Sequence, residues 1–497
     1  MNVWNSRALD VHRWSEYPQV NIFIDDLWET FASHYPEHIA TKRGKQPKTK
    51  PKNQFKVLLL DLFVCWQEDE DQCIGISRNV NAYLSVDSRY NKLHISKLMI
   101  KLTDQLTELG WIDFVNGSYN HEDPSKNRTS RIKPADYLIK RFAEAEFGID
   151  AIGTAESREC IILKSKTLEL DALGNEVTIN EEIEYEDTQA TELMRSSLRR
   201  YNDLLQRTHI DIRDLEKPII EREVQTKYGP RTYKVKVTQA NKFVRRIFGN
   251  ASWESHGRFY GGFWQQVDED TRSRIFIDHH ETIEVDFKSL HIYLLYAYYV
   301  KEPLPFGTDP YALKSFARSN EPPDAQRARL KTLLLQAINA SSRKAAFGAF
   351  RNEHAKNHPD KKLKNVQLNQ LLDDFIAEHS KLEPYICSGL ANELMYIDGC
   401  ITFEIIKRLT QQNIPVLTIH DSYIVKLEDY EVLRHTMSLA ASMVIGHELY
   451  AEQDLTPIKC DHSHAFEMEQ YLNKTQHYPI ASGYEVRFMK WREYLAG

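Results

Sequence analysis

Two short segments of the chain place an aspartate where a strand stops. In Glu281-Thr-Ile-Glu-Val-Asp286-Phe287-Lys-Ser-Leu-His291, a β-run delivers Asp286 just before an apolar helical stretch. In Pro415-Val-Leu-Thr-Ile-His420-Asp421-Ser422-Tyr-Ile-Val-Lys-Leu427, two alternating runs flank His-Asp-Ser, the pattern of a β-hairpin with Asp421 at its tip. A carboxylate on a buried strand pair is costly unless it meets a cation. Two of them on neighbouring strands could share divalent ions, and Mg²⁺ favours one or two carboxylates plus substrate phosphates. A pair of such ions stabilises both the attacking and the leaving oxygen of a phosphoryl transfer. A third segment, 324–339, puts Arg327 and Lys331 four residues apart on one helix face, opposite Leu330, Leu333, Leu334 and Ile338. Two cations one turn apart can hold a triphosphate and neutralise charge as pyrophosphate leaves.

Each segment alone has a plainer use: Asp286 as a helix N-cap, His-Asp-Ser as a tight turn, the Arg/Lys pair as a solvated face. In this order, however, they resemble motifs A, B and C of the family A DNA polymerases and the single-subunit phage-type RNA polymerases. The run upstream fits as well, with His256-Gly257-Arg258-Phe259 and then Arg272-Ser-Arg274-Ile-Phe276 ahead of motif A. The resemblance spans about residues 240–470. It implies a right-hand palm, with fingers at about 300–390 inserted between motifs A and C. It further implies two Mg²⁺ ions (Mn²⁺ as a substitute) held at Asp286, Phe287 and Asp421. Arg327 and Lys331 would act in catalysis and nucleotide binding, with Phe287 and His291 also at the nucleotide, and Arg258 and His420 on the primer strand. The expected activity is template-directed DNA synthesis from nucleoside triphosphates, without proofreading because no upstream acidic constellation resembles an exonuclease.

The departures keep alternatives open. Ser422 follows His-Asp, as in the RNA polymerases, where DNA polymerases carry Glu. Motif B lacks its aromatic and Tyr-Gly, with Leu335 and Asn339-Ala340 in those places; a second register uses Arg343-Lys344 with Phe347-Gly348. The sugar-selecting position is His291, whose ring would collide with a 2′-hydroxyl yet could also hydrogen-bond it. One alternative is an RNA polymerase or primase of the same superfamily, acting on DNA or RNA. The other is a catalytically inactive DNA-binding replication or regulatory protein.

The elements that must carry these residues follow from periodicity. Val57–Trp66 reads as an apolar helix, and Ile95, Leu98, Leu102, Leu106 and Leu109 recur at helical steps, ending at Gly110. A strand Trp111–Val115, a turn-rich stretch and a basic strand from Arg128 to Lys133 complete an order similar to a winged helix. That resemblance implies nucleic-acid contacts from Lys97 and Lys101 on the helix and from Arg128 and Arg131 on the hairpin. Residues 42–56 hold seven Lys/Arg, no acid and two prolines, and are expected to be extended, a linker or a phosphate-tracking strand. Strands are expected over 161–166 and 177–179, an acidic connector over 179–193, and a helix over 193–207. The expected organisation is α+β: an N-terminal segment with a basic linker (1–56), a winged-helix-like domain (57–145), a connector or thumb-like region (146–240), and palm and fingers (241–497).

Composition sets the outer bounds. The chain has 497 residues, 42% hydrophobic and 27% charged, an ordinary globular balance that excludes wholesale disorder. Its longest apolar runs are about ten residues, too short for the roughly 20 of a membrane helix. Met1–Trp14 has no basic region followed by an apolar core, so no secretory signal is expected. Six scattered cysteines without a CxxC pair fit a reducing, cytoplasmic setting. Cys460-Asp-His462-Ser-His464 lacks a fourth ligand and is a weak zinc box. The net charge of −7 confines any nucleic-acid contact to local patches. By analogy alone, a winged helix joined to a compact polymerase would imply plasmid, phage or other mobile genetic element replication, or a defence role.

Overall fold

The computed structural model describes residues 2–38, 50–120, 123, 126–170, 176–226, 229–305, 307–318, 321–355, 357–449, 451–452 and 478–496. Helices and mostly antiparallel strands mix throughout, consistent with the α+β class. No helix among the described residues is long and apolar enough to cross a membrane.

The chain builds two hydrophobic cores. The first is N-terminal, with helices α1 (Pro18–His34), α2 (Pro51–Glu68), α3 (Leu98–Glu108) and α4 (Asp136–Ala143). Its sheet joins β1 (Ser6–Ala8), β3 (Cys73–Ile76), β5 (Ser130–Pro134) and β4 (Ile112–Val115) in the order β1-β3-β5-β4, while β2 (Arg13–Trp14) pairs with β6 (Gly153–Thr154). Gly110 follows α3 at φ 69°, the left-handed turn that ends a helix cleanly. Asp61, the one acid in the apolar run of α2, is fully buried, gripped by Arg7 at 2.7 and 2.8 Å and by Arg13 at 3.2 Å. The expectation of an extended basic segment is corrected over 51–56, which form the first turns of α2. Pro51 stands at the start of that helix, where its missing N–H costs nothing. Lys56 is buried there, donating to the Ser15 carbonyl and to Asn21. Residues 42–49 of the segment lie outside the described residues, as does the Cys460–His464 box.

The second core runs from Cys160 to Leu449. Strand β7 (Ile161–Leu170) pairs with β8 (Glu176–Glu182), and helix α5 (Gln189–Gln206) follows. Strands β9 (Ile210–Ile212), the hairpin β10 (Ile219–Thr226) and β11 (Gly229–Lys236), and the pair β12 (Val244–Phe248) and β13 (His256–Gly261) come next. Residues of β7 and α5, within the stretch 146–240 expected as a connector or thumb-like region, share this core with the strands beyond 240. After α6 (Glu269–Arg272), strands β14 (Ile275–Ile277) and β15 (His280–Phe287) lead into α7 (Leu290–Leu294) and a π-helical turn to Val300. Helices α8 (Pro323–Asn339), α9 (Arg343–Glu353) and α10 (Asn365–Glu378) then form a helical insertion. Helix α11 (Ala391–Gln411), strands β16 (Leu417–Ile419) and β17 (Ser422–Lys426), helix α12 (Tyr430–Ile445), β18 (Ala451–Glu452) and α13 (Ser482–Ala496) close the chain. The central sheet has the order β16-β17-β15-β14-β9, with β18 also pairing β15.

Polar contacts join the two cores. Lys234 reaches Asp69 at 2.7 Å, Thr238 donates to Glu68 at 3.0 Å, and the Tyr90 hydroxyl donates to the Ile183 carbonyl at 2.8 Å.

Candidate active site

Strand pairing brings the two sequence-selected aspartates together. β15 and β17 are antiparallel with Asp286 opposite Ser422, and the Phe287 amide donates to the Asp421 carbonyl at 3.2 Å. β16 and β17 close with Ile419 opposite Ser422, leaving His420 and Asp421 as a two-residue turn, with His420 at φ 56°. A left-handed first turn residue is what the twist of a tight hairpin asks for. Asp286 is exposed near the C-terminal end of β15, with Ser422 of β17 on one side and Glu452 of β18 on the other; Asp421 is half-buried, and Phe287 is core, its ring edge-on to Tyr423 at 6.1 Å. Phe287 could therefore offer a metal or nucleotide only its main-chain carbonyl. Asp286 does not cap the following helix, because Ser289, at φ 52°, holds the N-cap position.

The hairpin is pinned from behind. The Thr418 carbonyl accepts from Trp264 at 3.2 Å and Gln265 at 2.7 Å, and the Val416 carbonyl accepts from the buried Tyr201 hydroxyl at 2.6 Å. Ser422 donates to Glu284 at 2.6 Å, and Glu284 is held by Arg272 at 2.8 and 3.0 Å. Glu284 lies two residues before Asp286 and so faces the same side of the sheet.

A third acid, absent from the sequence reading, meets this site from α11. Asp398 is fully buried, and Arg258 donates to its Oδ2 at 2.6 Å while its Oδ1 has no partner among the described residues. Two glycines permit the approach. A Cβ on Gly399 would lie 2.2 Å from the Gly257 carbonyl oxygen, and Gly257 itself stands at φ 71°. Arg258 also reaches His291 Nε2 at 3.3 Å. Burial pushes the Asp398 carboxyl up to about 6, against the pull of Arg258 and with help from the charge of Asp421. Burial, with Arg258 adding to it, holds His291 down to about 4, so the ring is neutral at pH 7. His420 is lowered by the same two causes. For Arg258, burial is outweighed by Asp398 and Asp421, and the guanidinium is held more firmly charged. Its side chain is only 12% exposed.

The helical insertion supplies the cations. Arg327 and Lys331 lie on α8 as expected, but differently engaged. Arg327 donates to Asp309 at 2.5 Å and stands over the Tyr311 ring at 5.6 Å, and the charges of both Arg327 and Asp421 are felt at the Tyr311 hydroxyl. Lys331 is exposed. Of the tyrosines that follow β15, Tyr293 and Tyr296 are buried, donating to the Thr308 carbonyl and meeting His379, whereas Tyr298 is exposed. In the run 259–264, Phe259, Phe263 and Trp264 are core, whereas Tyr260 stands edge-on to His420 at 5.8 Å.

The candidate nucleic-acid residues of the N-terminal part fare unevenly. Lys97 is exposed at the start of α3, and Lys101 is paired with Glu37 at 3.0 Å on the surface. Arg128 donates to the Asn116 carbonyl at 2.5 Å. Arg131 turns back to the Val3 carbonyl at 3.1 Å and to Thr129, lining a cleft of about 450 Å³ with Arg7. Arg128, Arg131 and Lys101 are thus engaged within the protein, while Lys97 is exposed. The sequence held one signal for Asp398: an acid interrupting the apolar face made by Leu394, Ile397, Ile401 and Ile405. Comparison with known protein families finds no matching family model, and comparison with curated proteins finds no matching relative.

Proposed function

We propose that this protein is a template-directed nucleotidyltransferase, a DNA polymerase of the family A type. The observation that carries the reading is the adjacency of Asp286 and Asp421 across β15 and β17, with the Phe287 amide bonded to the Asp421 carbonyl. The sheet β16-β17-β15-β14-β9 is read as the palm, and α8 to α10 as the fingers. The N-terminal order α2-β3-α3-β4-β5, with sheet order β3-β5-β4, supports a winged-helix reading for nucleic-acid contact.

The donor set fits a hard divalent cation: two carboxylates and a main-chain carbonyl, all oxygen, where β15 ends beside the β16–β17 turn. Asp286, Asp421 and the Phe287 carbonyl would hold two Mg²⁺, which when bound lower the pKa of a primer hydroxyl and neutralise charge on the phosphates. Glu284 holds Ser422, the residue next to Asp421. Arg258 and His420 orient the primer end, and neutral His291 packs against the sugar. Lys331 and Arg327 receive the triphosphate tail, Arg327 by exchanging Asp309 for phosphate.

The test is incorporation of labelled nucleotides on primed and unprimed DNA and RNA templates, with Mg²⁺ or Mn²⁺. Asp286→Asn and Asp421→Asn should each lower the rate about a thousandfold or more, as expected when transition-state charge stabilisation is lost. Wild-type rates in both variants would remove the catalytic reading and leave a DNA-binding protein. Ser422 favours the second reading, an RNA polymerase or primase, and the same assay decides it by offering ribonucleotides against deoxynucleotides.

A further inference from the structure

The helical insertion carries a second set of metal-competent side chains, remote in sequence from both aspartates. His354 ends α9, His358 opens the short 3-10 turn Pro359–Lys362, and Asp360 lies within that turn. One ligand atom from each lies within 4.8 Å of the others, the one such trio of His, Cys, Asp or Glu found among the described residues. We infer that His354, His358 and Asp360 form a Zn²⁺ site that fastens the α9–α10 connection.

Several observations converge on it. The Nε2 atom of His354 is buried and has no hydrogen-bond partner among the described residues, a polar atom that a metal bond would satisfy. The His354 and His358 rings lie nearly parallel, 8° apart with centroids at 4.4 Å, so both donors already occupy one small volume. Asp360 is buried, with Oδ1 accepting from Arg329 at 2.8 Å. That contact orients the carboxylate as an outer partner orients a metal ligand, leaving Oδ2 for the ion. Arg329 is itself shared with Glu321 at 2.6 Å, so its charge does not fall wholly on the site.

The donor chemistry selects the metal. Two imidazoles and a carboxylate suit zinc, which takes four ligands and would keep water in the last place. Bonds of about 2.1 Å set neighbouring ligands about 3.4 Å apart, so the trio must close by roughly an ångström. The closure is opposed by two contacts. The Asp360 amide donates to His358 Nδ1 at 3.3 Å, a long bond, and the Lys361 ammonium sits on the His354 carbonyl at 2.9 Å. The first is weak, and the second already has its acceptor. Closing the site would tie the end of α9, through Asp360 and Arg329, to α8, the helix that carries Arg327 and Lys331.

The experiment uses the full chain, stripped with a chelator and titrated with Zn²⁺ and, in parallel, Co²⁺. Wild-type protein should take up zinc and show the visible absorption of tetrahedral cobalt. His358→Ala should lose one zinc equivalent per chain, with affinity at that site down about a hundredfold. His358 is exposed, so its truncation opens no cavity, and the metal-free variant should melt with wild type. No zinc uptake by wild type, or equal uptake by wild type and His358→Ala, overturns the site. Asp286→Asn should bind zinc normally, so this result and the polymerase reading stand or fall separately.

Discussion

The buried Arg258–Asp398 pair permits a test that reads out in stability and has a definite sign with pH. In the substitution Arg258→Met, Asp398 stays at 0% exposure and loses the donor at 2.6 Å, while its other oxygen already lacks a partner among the described residues. Burial leads the causes that raise the carboxyl from 3.8 to about 6 even with Arg258 in place. That shift of about two units already sets about 3 kcal/mol against ionisation. For an acid raised in the folded state, the stabilising contribution is complete below its unfolded value and is lost as pH rises through the folded value. The window here runs from about pH 4 to about pH 6 in wild type and further upward once the cation is gone. At pH 8, Arg258→Met should cost about 3–5 kcal/mol, the usual loss when one partner of a buried pair is removed. At pH 5 Asp398 is mostly protonated in both proteins, so the cost should shrink to about 1 kcal/mol, a neutral hydrogen bond. His291, now held to about 4 partly by Arg258, would rise in the variant and push in the same direction. Urea unfolding of wild type, Arg258→Met and Arg258→Met/Asp398→Asn at both pH values measures this. Equal losses at pH 5 and pH 8, or no recovery in the double variant, would refute an uncompensated Asp398 charge.

Three other outcomes follow from the same geometry. Gly399→Ala sets a Cβ 2.2 Å from the Gly257 oxygen, backbone against backbone, and should cost about 1–3 kcal/mol by denaturant unfolding. Lys331→Ala, at an exposed helix position, should leave the melting temperature unchanged and raise the KM for nucleotide about tenfold or more in the incorporation assay. His291→Gly removes the ring beside Arg258 and should raise ribonucleotide relative to deoxynucleotide incorporation about tenfold, read from competing substrates.

Local pattern made much of the fold legible. Helical spacing from Leu98 to Leu109 with Gly110 behind it reads directly as α3 and its stop, and period-2 alternation around His420-Asp421 reads as the hairpin β16–β17. The failures have a common cause. Residues 51–56 look extended by charge and proline content, yet Pro51 starts a helix and Lys56 is drawn inward by Ser15 and Asn21, partners far away in the chain. The acids of 179–193 are legible locally, while a contact that seats helix α5, Tyr201 against Val416, joins residues 215 positions apart. Propensity sees neighbours in sequence; burial is set by neighbours in space.

The same division runs through the candidate site. Asp286 and Asp421 were legible because each sits where a strand pattern breaks, so its chemistry and its position are encoded together. Asp398 and Glu284 were not, since each looks like an ordinary member of a helix or a strand until its partner is placed. Arg258 is 140 residues from Asp398, and Ser422 is 138 from Glu284. Yet these pairs set the direction in which the legible residues point. Glu284 holds Ser422, the residue next to Asp421, and Asp398 aims Arg258 at His291. Substituting the legible pair should abolish chemistry with the fold intact, whereas substituting the hidden pair should disturb fold and chemistry together. A site whose reactive carboxylates reach solvent and whose positioning carboxylates are paired within the fold is expected to separate in this way.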